Sequence, residues 1–423
     1  LNHHRSPSLF HTVQCDQSPF RIGFDLNSGW APAGHQKTQQ KREPHDGFRV
    51  PTHDRLGVMD RIFGHQTAKS HLMEAVEHGR VPHALLLVGP QGVGKTSLAI
   101  ELAMLLADPD AGPDLMGHWQ ADTSGQLRNQ MLEHRHPDLH LIRRVDLKYS
   151  RFQSLRDRKS ANLPIDYLRE RLLGGDVEGK SFLGPIFFQR AKAKSKVFLI
   201  PEADRLQWDA ANALLKVLEE PPDDTYLILG SRTAEAIPAT IRSRVQTVRL
   251  RRLEPTEISS WAEQCFDFES PHRGWVLERA DGRPGRVLEL SKLNLGVWRE
   301  AIDASVEMIR SRRPDPTGVA KVIEAIQDHI ELIEKESKRK SDVHDVRDDT
   351  VSKDGLNKDT FDLFLEFLEF EIVRMTFETT QEEIGVRESL MVARNWVQGN
   401  LNWKQAVEGL FTMMVRAELV PRI

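Results

Sequence analysis

The stretch of sequence that decides the fold reads ALLLVGPQGVGKTSLAIELAMLL and covers residues 84–106. It opens with the continuous apolar run Ala84–Val88, which is typical of a buried strand in a parallel sheet. Glycine-rich residues 89–94 come next, and Thr96–Leu106 then has the Ala- and Leu-rich composition of a helix. A strand, a glycine-rich turn and a helix in this order form the first half of a βαβ unit.

Within this stretch, residues 89–96 fit the phosphate-loop pattern G-x-x-x-x-G-K-[ST]. Glycines allow backbone N–H groups to turn towards phosphate oxygens, the Lys95 ammonium would reach the β- and γ-phosphates, and the Thr96 hydroxyl would coordinate Mg²⁺. We therefore predict a site for ATP with Mg²⁺ that is formed by Gly89, Pro90, Gln91, Gly92, Val93, Gly94, Lys95, Thr96 and Ser97. Two alternatives stay open: a glycine-rich turn that binds no ligand, and a loop that keeps its shape but has lost hydrolysis.

A second buried strand, Lys196–Ile200, ends in a sequence that bears on hydrolysis. Phosphate-loop NTPases usually place an Asp at this strand end to hold Mg²⁺, often beside a Glu that orients the attacking water. Here Pro201 takes the metal-side position, Glu202 takes the catalytic-base position, and Asp204 follows two residues later. Since proline cannot coordinate a cation, we expect ATP hydrolysis by this chain to be weak or absent. Asp204 could substitute if the strand bends, or it could serve as a helix cap or in a surface ion pair.

The pattern along the chain predicts an α/β part followed by an all-α part. Strands alternate with helices between residues 59 and 250, which indicates a parallel sheet, and the strand signal stops after Leu253. We expect two helical domains at 251–296 and 297–423, with a mobile charged loop at 334–359. Residues 1–58 carry no ordered pattern and are expected to be a disordered tail or an over-extended reading frame.

Composition excludes several classes of protein. The 423 residues include 58 Lys+Arg and 62 Asp+Glu, and mean hydropathy is −0.46, so we expect a cytoplasmic protein without a membrane segment. The formal net charge of −4 gives no argument for a nucleic-acid partner. Two cysteines rule out a disulfide framework and a four-cysteine zinc site, so we expect no zinc. The region that follows the phosphate loop does contain four histidines, at His118, His134, His136 and His140.

The block NALLKVLEEPP, residues 212–222, resembles the signature of bacterial clamp-loader subunits of the AAA+ class. Further matches to this family are His83-Ala84-Leu85-Leu86, Gly64-His65-Gln66, His136-Pro137-Asp138 and Ile241-Arg242-Ser243-Arg244. The resemblance runs from about Met59 to Leu290 and is weak beyond. It implies an AAA+ ATPase domain at 59–250, a small helical lid at 251–296 and a helical collar at 297–423. It also implies partners: other clamp-loader subunits in a hetero-pentameric ring, a sliding clamp that the ring opens, and primed DNA that receives the clamp.

The family contains motor subunits that hydrolyse ATP and a stator subunit that often lacks working ATPase residues. Pro201 favours the stator, as do Arg232 at the family's sensor position and Gly285, with Arg286 one step off, at its lid arginine. The intact phosphate loop favours the motor. Arg244 matches the arginine of the family's Ser-Arg-Cys motif, so the resemblance implies that it is an arginine finger for a neighbouring subunit; the alternative is an ordinary surface arginine. An unrelated phosphate-loop module such as a helicase is a third hypothesis, and it lacks the further motifs expected of one.

Overall fold

The computed structural model describes residues 62–158, 162–265, 272–343, 353–377, 379–399 and 401–415, so the tail expected at 1–58 lies outside it. The strands of the described chain are β1 Ala84–Val88, β2 Gly112–Pro113, β3 Trp119–Gln120, β4 Leu139–Leu141, β5 Gly174–Val177, β6 Lys180–Leu183, β7 Lys196–Ile200, β8 Thr225–Ser231 and β9 Gln246–Arg249. Its helices are α1 Gln66–Glu77, α2 Lys95–Ala107, α3 Gln126–Leu132, α4 Gln153–Arg156, α5 Ile165–Leu168, α6 Trp208–Ala213, α7 Leu215–Glu219, α8 Ala239–Arg242, α9 Pro255–Cys265, α10 Arg273–Ala280, α11 Pro284–Leu290, α12 Leu295–Ser311, α13 Pro316–Val343, α14 Lys353–Arg374, α15 Thr380–Gln398 and α16 Trp403–Val415.

Five strands form one parallel sheet in the order β4-β7-β8-β1-β9, which confirms the predicted fold class. Strand β1 lies between β8 and β9, with Leu86 opposite Leu229 on one side and Thr247 on the other. Every residue of β1 is buried, as expected for a strand covered on both faces. Because all five strands are parallel, the loops that follow β1, β7 and β8 leave the same edge of the sheet.

Two apolar clusters cover the two faces of this sheet. Successive β1 side chains alternate between them: Leu86 belongs to one cluster, and Leu85 and Leu87 to the other. Helix α2 packs on the second face and is buried from Leu98 through Ala107. This burial fixes the helix whose first residues, Lys95 and Thr96, complete the phosphate-loop motif.

The helices after Leu253 share a third apolar cluster, which extends from Leu253 to Met414. Its fully buried members include Trp298, Phe361 and Phe364. The segments expected to be lid and collar therefore pack on one another through a common core, and the domain boundaries themselves stay a prediction. No helix among the described residues is long and apolar enough to cross a membrane.

Two predicted features differ in the structure. The sequence predicts one helix over Asp209–Leu218, but the structure has α6 and α7, because the Leu214 N–H bonds to the Ala211 carbonyl in a tighter turn. The charged loop predicted at 334–359 is mostly helical, since α13 continues to Val343 and α14 begins at Lys353. Lys, Glu and Arg are good helix formers, so a charged composition alone does not end a helix. Residues 344–352 lie outside the described chain.

The hairpin β5–β6 is absent from the sequence-based prediction. Its strands are joined by Glu178 and Gly179, which both have positive φ, at 52° and 71°. Such a turn is usually signalled by Asn-Gly or Asp-Gly, and Glu-Gly is a weak signal for it.

Candidate nucleotide-binding site

The phosphate loop has the backbone shape that its glycines allow. Gly92 and Gly94 have φ of +83° and +105°, in the region that favours glycine, and Gly94 caps the N-terminus of α2. At the start of the loop, the Gly89 N–H donates to the Ser231 carbonyl at the end of β8, 3.2 Å away. A Cβ on Gly89 would lie 2.5 Å from the Leu250 carbonyl oxygen, so only glycine fits there. The loop is thus held in a conformation able to present N–H groups to an anion.

Lys95 lies folded into this loop. Its Nζ donates to the carbonyl oxygens of Gly89, at 2.6 Å, and Pro90, at 2.8 Å. Burial lowers the pKa of Lys95 to about 8; the nearby Asp204 carboxylate opposes this shift, and the Arg232 guanidinium adds to it. Asp204 and Arg232 are therefore close enough to Lys95 to form one electrostatic site with it.

The acidic residues at the end of β7 are already paired. Glu202, at the catalytic-base position, forms an ion pair with Arg205, and the Arg205 Nε lies 3.2 Å from the Glu202 Oε1. Asp204 is almost fully buried, and its Oδ2 accepts from the Arg232 Nε at 2.7 Å. Arg232 follows β8, so the pair bridges the ends of two neighbouring strands. Of the alternatives for Asp204, the structure gives the ion pair.

The strand end does not fit a magnesium site. In phosphate-loop NTPases the loop Ser/Thr and a strand-end Asp hold Mg²⁺. Pro201 supplies no side-chain oxygen here, and its backbone packs so close to β8 that a Cβ on Gly230 would lie 2.4 Å from the Pro201 carbonyl oxygen. Asp204 is engaged by a guanidinium, which leaves Thr96 as the remaining predicted ligand. The loop itself fits a nucleotide phosphate, but the residues around it do not fit the metal.

Helix α11, in the segment predicted to be a lid, contacts the phosphate loop directly. The Gly285 N–H donates to the Gly92 carbonyl oxygen at 2.7 Å, and a Cβ on Gly285 would lie 2.7 Å from the Gly92 Cα. Arg286, one residue on, pairs with Glu289 at 3.0 Å and also with Glu366 of α14. At the position where the resemblance implies a lid arginine, this chain therefore has Gly285, which contacts the loop. Arg286 is bound instead by carboxylates of α11 and α14.

A cleft of about 630 Å³ adjoins the start of the loop. His65 lines it, and its Nε2 lies 2.9 Å from the Val93 carbonyl oxygen, a bond that only a protonated Nε2 can donate. Burial lowers the pKa of His65, which favours the neutral ring. Arg232, Arg249 and Arg251 also line the cleft, and Arg251 is paired with Glu257 at 3.0 Å. Arg249 and Arg251 were missed from the sequence; the run Arg249-Leu250-Arg251-Arg252, which begins at the last residue of β9, was the available signal.

Arg244, the predicted finger, lies just beyond α8 and is about one-third exposed. Its Nε donates to Glu219 Oε1 at 2.9 Å, and its Nη1 donates to the Thr240 carbonyl oxygen at 2.8 Å. Glu219 belongs to the block NALLKVLEEPP. The structure therefore places two of the family motifs in contact. Within the block, Glu219 orients the Arg244 side chain.

The histidines considered for zinc serve different contacts. His134 Nε2 lies 3.2 Å from Asp146 Oδ1, the Nδ1 of His136 accepts from the Asp138 N–H, and His140 stacks on Phe198 with ring centroids 4.5 Å apart. Among the described residues no group of three or more His, Cys, Asp or Glu could hold a metal ion. The absence of zinc stays a prediction.

Comparisons with known proteins agree with the resemblance read from the sequence. Residues 64–254 match the family model described as DNA polymerase III, delta subunit. DNA polymerase III subunit delta' of Bacillus subtilis is 29% identical over 224 residues, which is 52% of this chain and 57% of that protein. Subunit gamma/tau of Mycobacterium tuberculosis (strain H37Rv) is 27% identical over 194 residues, 46% of this chain and 28% of that protein.

A gamma-subunit-related protein of Thermotoga maritima is similar in structure, with a TM-score of 0.42 and 15% identity, and the match covers 82% of this chain and 99% of that one. The chain spans between about a quarter and just over half the length of the curated relatives it matches.

Proposed function

We propose that this chain, which is similar to the delta-prime and gamma/tau subunits of DNA polymerase III, is a clamp-loader subunit of the holoenzyme. In this role it takes a place in a hetero-pentameric ring with other clamp-loader subunits. The ring opens a sliding clamp and loads it onto primed DNA in the cytoplasm. The finer assignment is to the delta-prime, or stator, type.

The observation that carries the stator assignment is the state of the β7 strand end. Pro201 stands where a motor has its metal-binding Asp, and Asp204 is bound to Arg232. Phosphoryl transfer depends almost entirely on positioning and charge stabilisation. The intact phosphate loop supports nucleotide binding by Lys95 and its neighbours. The lack of a free carboxylate at the neighbouring strand end supports the expectation of little hydrolysis.

Arg244 carries the second part of the proposal, an arginine finger that acts on ATP held by a neighbouring subunit. The fork of a guanidinium stabilises phosphate charge bidentately. Its bonds to Glu219 and Thr240 hold the side chain in one orientation while it stays partly exposed. In this arrangement the chain contributes to hydrolysis without performing it.

A gamma/tau-like motor is the alternative, and the intact phosphate loop favours it. ATP turnover by the purified chain separates the two: the stator assignment predicts negligible turnover, whereas about 1 s⁻¹, the low end for phosphoryl-transfer enzymes, would favour the motor.

Clamp loading by a reconstituted complex tests the function itself. A complex assembled from this chain and its partner subunits should load a labelled clamp onto primed DNA, and omission of the chain should abolish loading. Equal loading with and without the chain would contradict the proposal.

A further inference from the structure

Arg232 occupies an unusual place beside the phosphate loop. Its Nε is bound to the buried Asp204, while its guanidinium is exposed and lines the cleft next to Gly89 and Pro90. Among the residues that the structure describes, the two Nη groups of Arg232 make no hydrogen bond. One edge of the guanidinium is thus fixed, and the donors that suit a phosphate are unused.

Asp204 acts as a positioning residue in this arrangement. A carboxylate with a side-chain exposure of 5% is costly to bury unless it is paired, and Arg232 provides the pairing charge. The pair therefore fixes the guanidinium between the ends of β7 and β8, on the side of the sheet where the phosphate loop lies. The same pairing removes Asp204 from the ligands available to a cation.

Two basic side chains, Lys95 and Arg232, face an anion beside the end of β7, in addition to Arg249 elsewhere in the cleft. Lys95 lies inside the loop and Arg232 beside it, and no carboxylate at the end of β7 is free to balance a metal ion. A polyphosphate that entered with Mg²⁺ would bring a cation next to the fixed Arg232 guanidinium, with no free carboxylate to offset the repulsion between these like charges. A polyphosphate without the metal would meet two positive groups instead.

We propose that this site binds the polyphosphate of a nucleotide without a divalent cation, with Arg232 supplying the charge neutralisation that Mg²⁺ supplies in working phosphate-loop ATPases. The inference rests on the proposed nucleotide binding and names the form of the ligand. It gives the departures at Pro201, Asp204 and Arg232 a single explanation: together they replace a metal site by a guanidinium site.

The test is calorimetric titration of the full chain with ATP, once in EDTA and once in excess Mg²⁺. The dissociation constant in EDTA should be lower than that in excess Mg²⁺, because Mg²⁺ withdraws free ATP in solution. Arg232→Gln should weaken binding in EDTA by roughly 10- to 100-fold, since a charge-assisted phosphate contact is lost. Arg242→Gln, the same change at an exposed arginine of α8, should leave it unaltered.

Asp204→Asn gives a readout that a purely structural role would not produce. With the carboxylate gone, Arg232 loses its orientation, so affinity in EDTA should fall while circular dichroism and thermal stability show a folded protein. Binding that is as tight or tighter in Mg²⁺, or an Arg232→Gln variant that binds as wild type in EDTA, would overturn the inference while leaving nucleotide binding intact. Absence of binding under both conditions would instead overturn the nucleotide-binding part of the proposed function, and this inference with it.

Discussion

Replacement of Gly285 by alanine tests the contact between helix α11 and the phosphate loop. The added Cβ would lie 2.7 Å from the Gly92 Cα and 3.1 Å from the Gly92 carbonyl oxygen. Non-bonded carbons approach favourably to about 3.5–4.0 Å, so α11 and the loop must separate by about 1 Å. The hydrogen bond from the Gly285 N–H to Gly92, now 2.7 Å long, would then be lost.

The cost of this change can be estimated from its parts. Overpacking of a close contact costs about 1–3 kcal/mol, and the lost hydrogen bond costs about 1 kcal/mol. The lower entropy of an unfolded chain with alanine offsets about 0.4–1 kcal/mol. We expect Gly285→Ala to reduce the free energy of unfolding by about 1–3.5 kcal/mol, and we expect faster hydrogen exchange at residues 89–94.

Gly274→Ala is the matched control, because a Cβ there meets no atom within 4 Å and the residue lies in α10 of the same helical region. Thermal denaturation and hydrogen-exchange mass spectrometry of both variants are the measurements. The control should be as stable as wild type or slightly more so. If Gly285→Ala matched the control in melting temperature and in protection of the loop, the direct contact between lid and loop would be refuted.

Two further predictions concern Lys95. Affinity for ATP should fall above pH 8, because a Lys95 pKa of about 8 means that the ammonium is lost as the pH rises through that value. Between pH 7 and pH 9 we expect about a tenfold loss of affinity, measured by fluorescence titration. Lys95→Arg should remove this pH dependence, because a guanidinium stays charged over this range. Lys95→Ala should lose most binding of a fluorescent ATP analogue, whereas Lys216→Ala, at an exposed lysine of α7, should not; equal affinity in Lys95→Ala and wild type would mean that the loop no longer binds nucleotide.

The parts of the fold and site that the sequence predicts are those encoded locally. Strand β1, the phosphate loop and α2 are contiguous, and each is specified by its own composition and spacing. Pro201 is equally local, because its inability to bind a metal follows from the side chain alone. The order of strands and helices likewise suffices to predict a parallel sheet.

The features that were not predicted depend on contacts between residues that are far apart in the sequence. Asp204 and Arg232 are 28 positions apart, and Glu219 and Arg244 are 25 apart; nothing in either neighbourhood indicates the partner. The contact of Gly92 with Gly285 depends on how α11 packs against the loop. The charged segment of α13 shows a different difficulty, since Lys- and Glu-rich sequences suit both an exposed helix and a disordered loop.

The most direct test of the proposed role is the ATPase rate of a reconstituted clamp-loader complex that carries Arg244→Ala. Arginine fingers contribute on the order of 10³–10⁵ in rate, but other sites in the ring keep their own fingers, so we expect a smaller reduction of the clamp- and DNA-stimulated rate. Folding, ring assembly and ATP binding by this chain should be nearly unchanged, since a partly exposed arginine contributes little stability. Arg244→Lys should rescue poorly, because an ammonium cannot reproduce the guanidinium fork, and Arg242→Ala, at the exposed last residue of the preceding helix α8, should behave as wild type. A stimulated rate equal to wild type in the assembled Arg244→Ala complex would contradict the account.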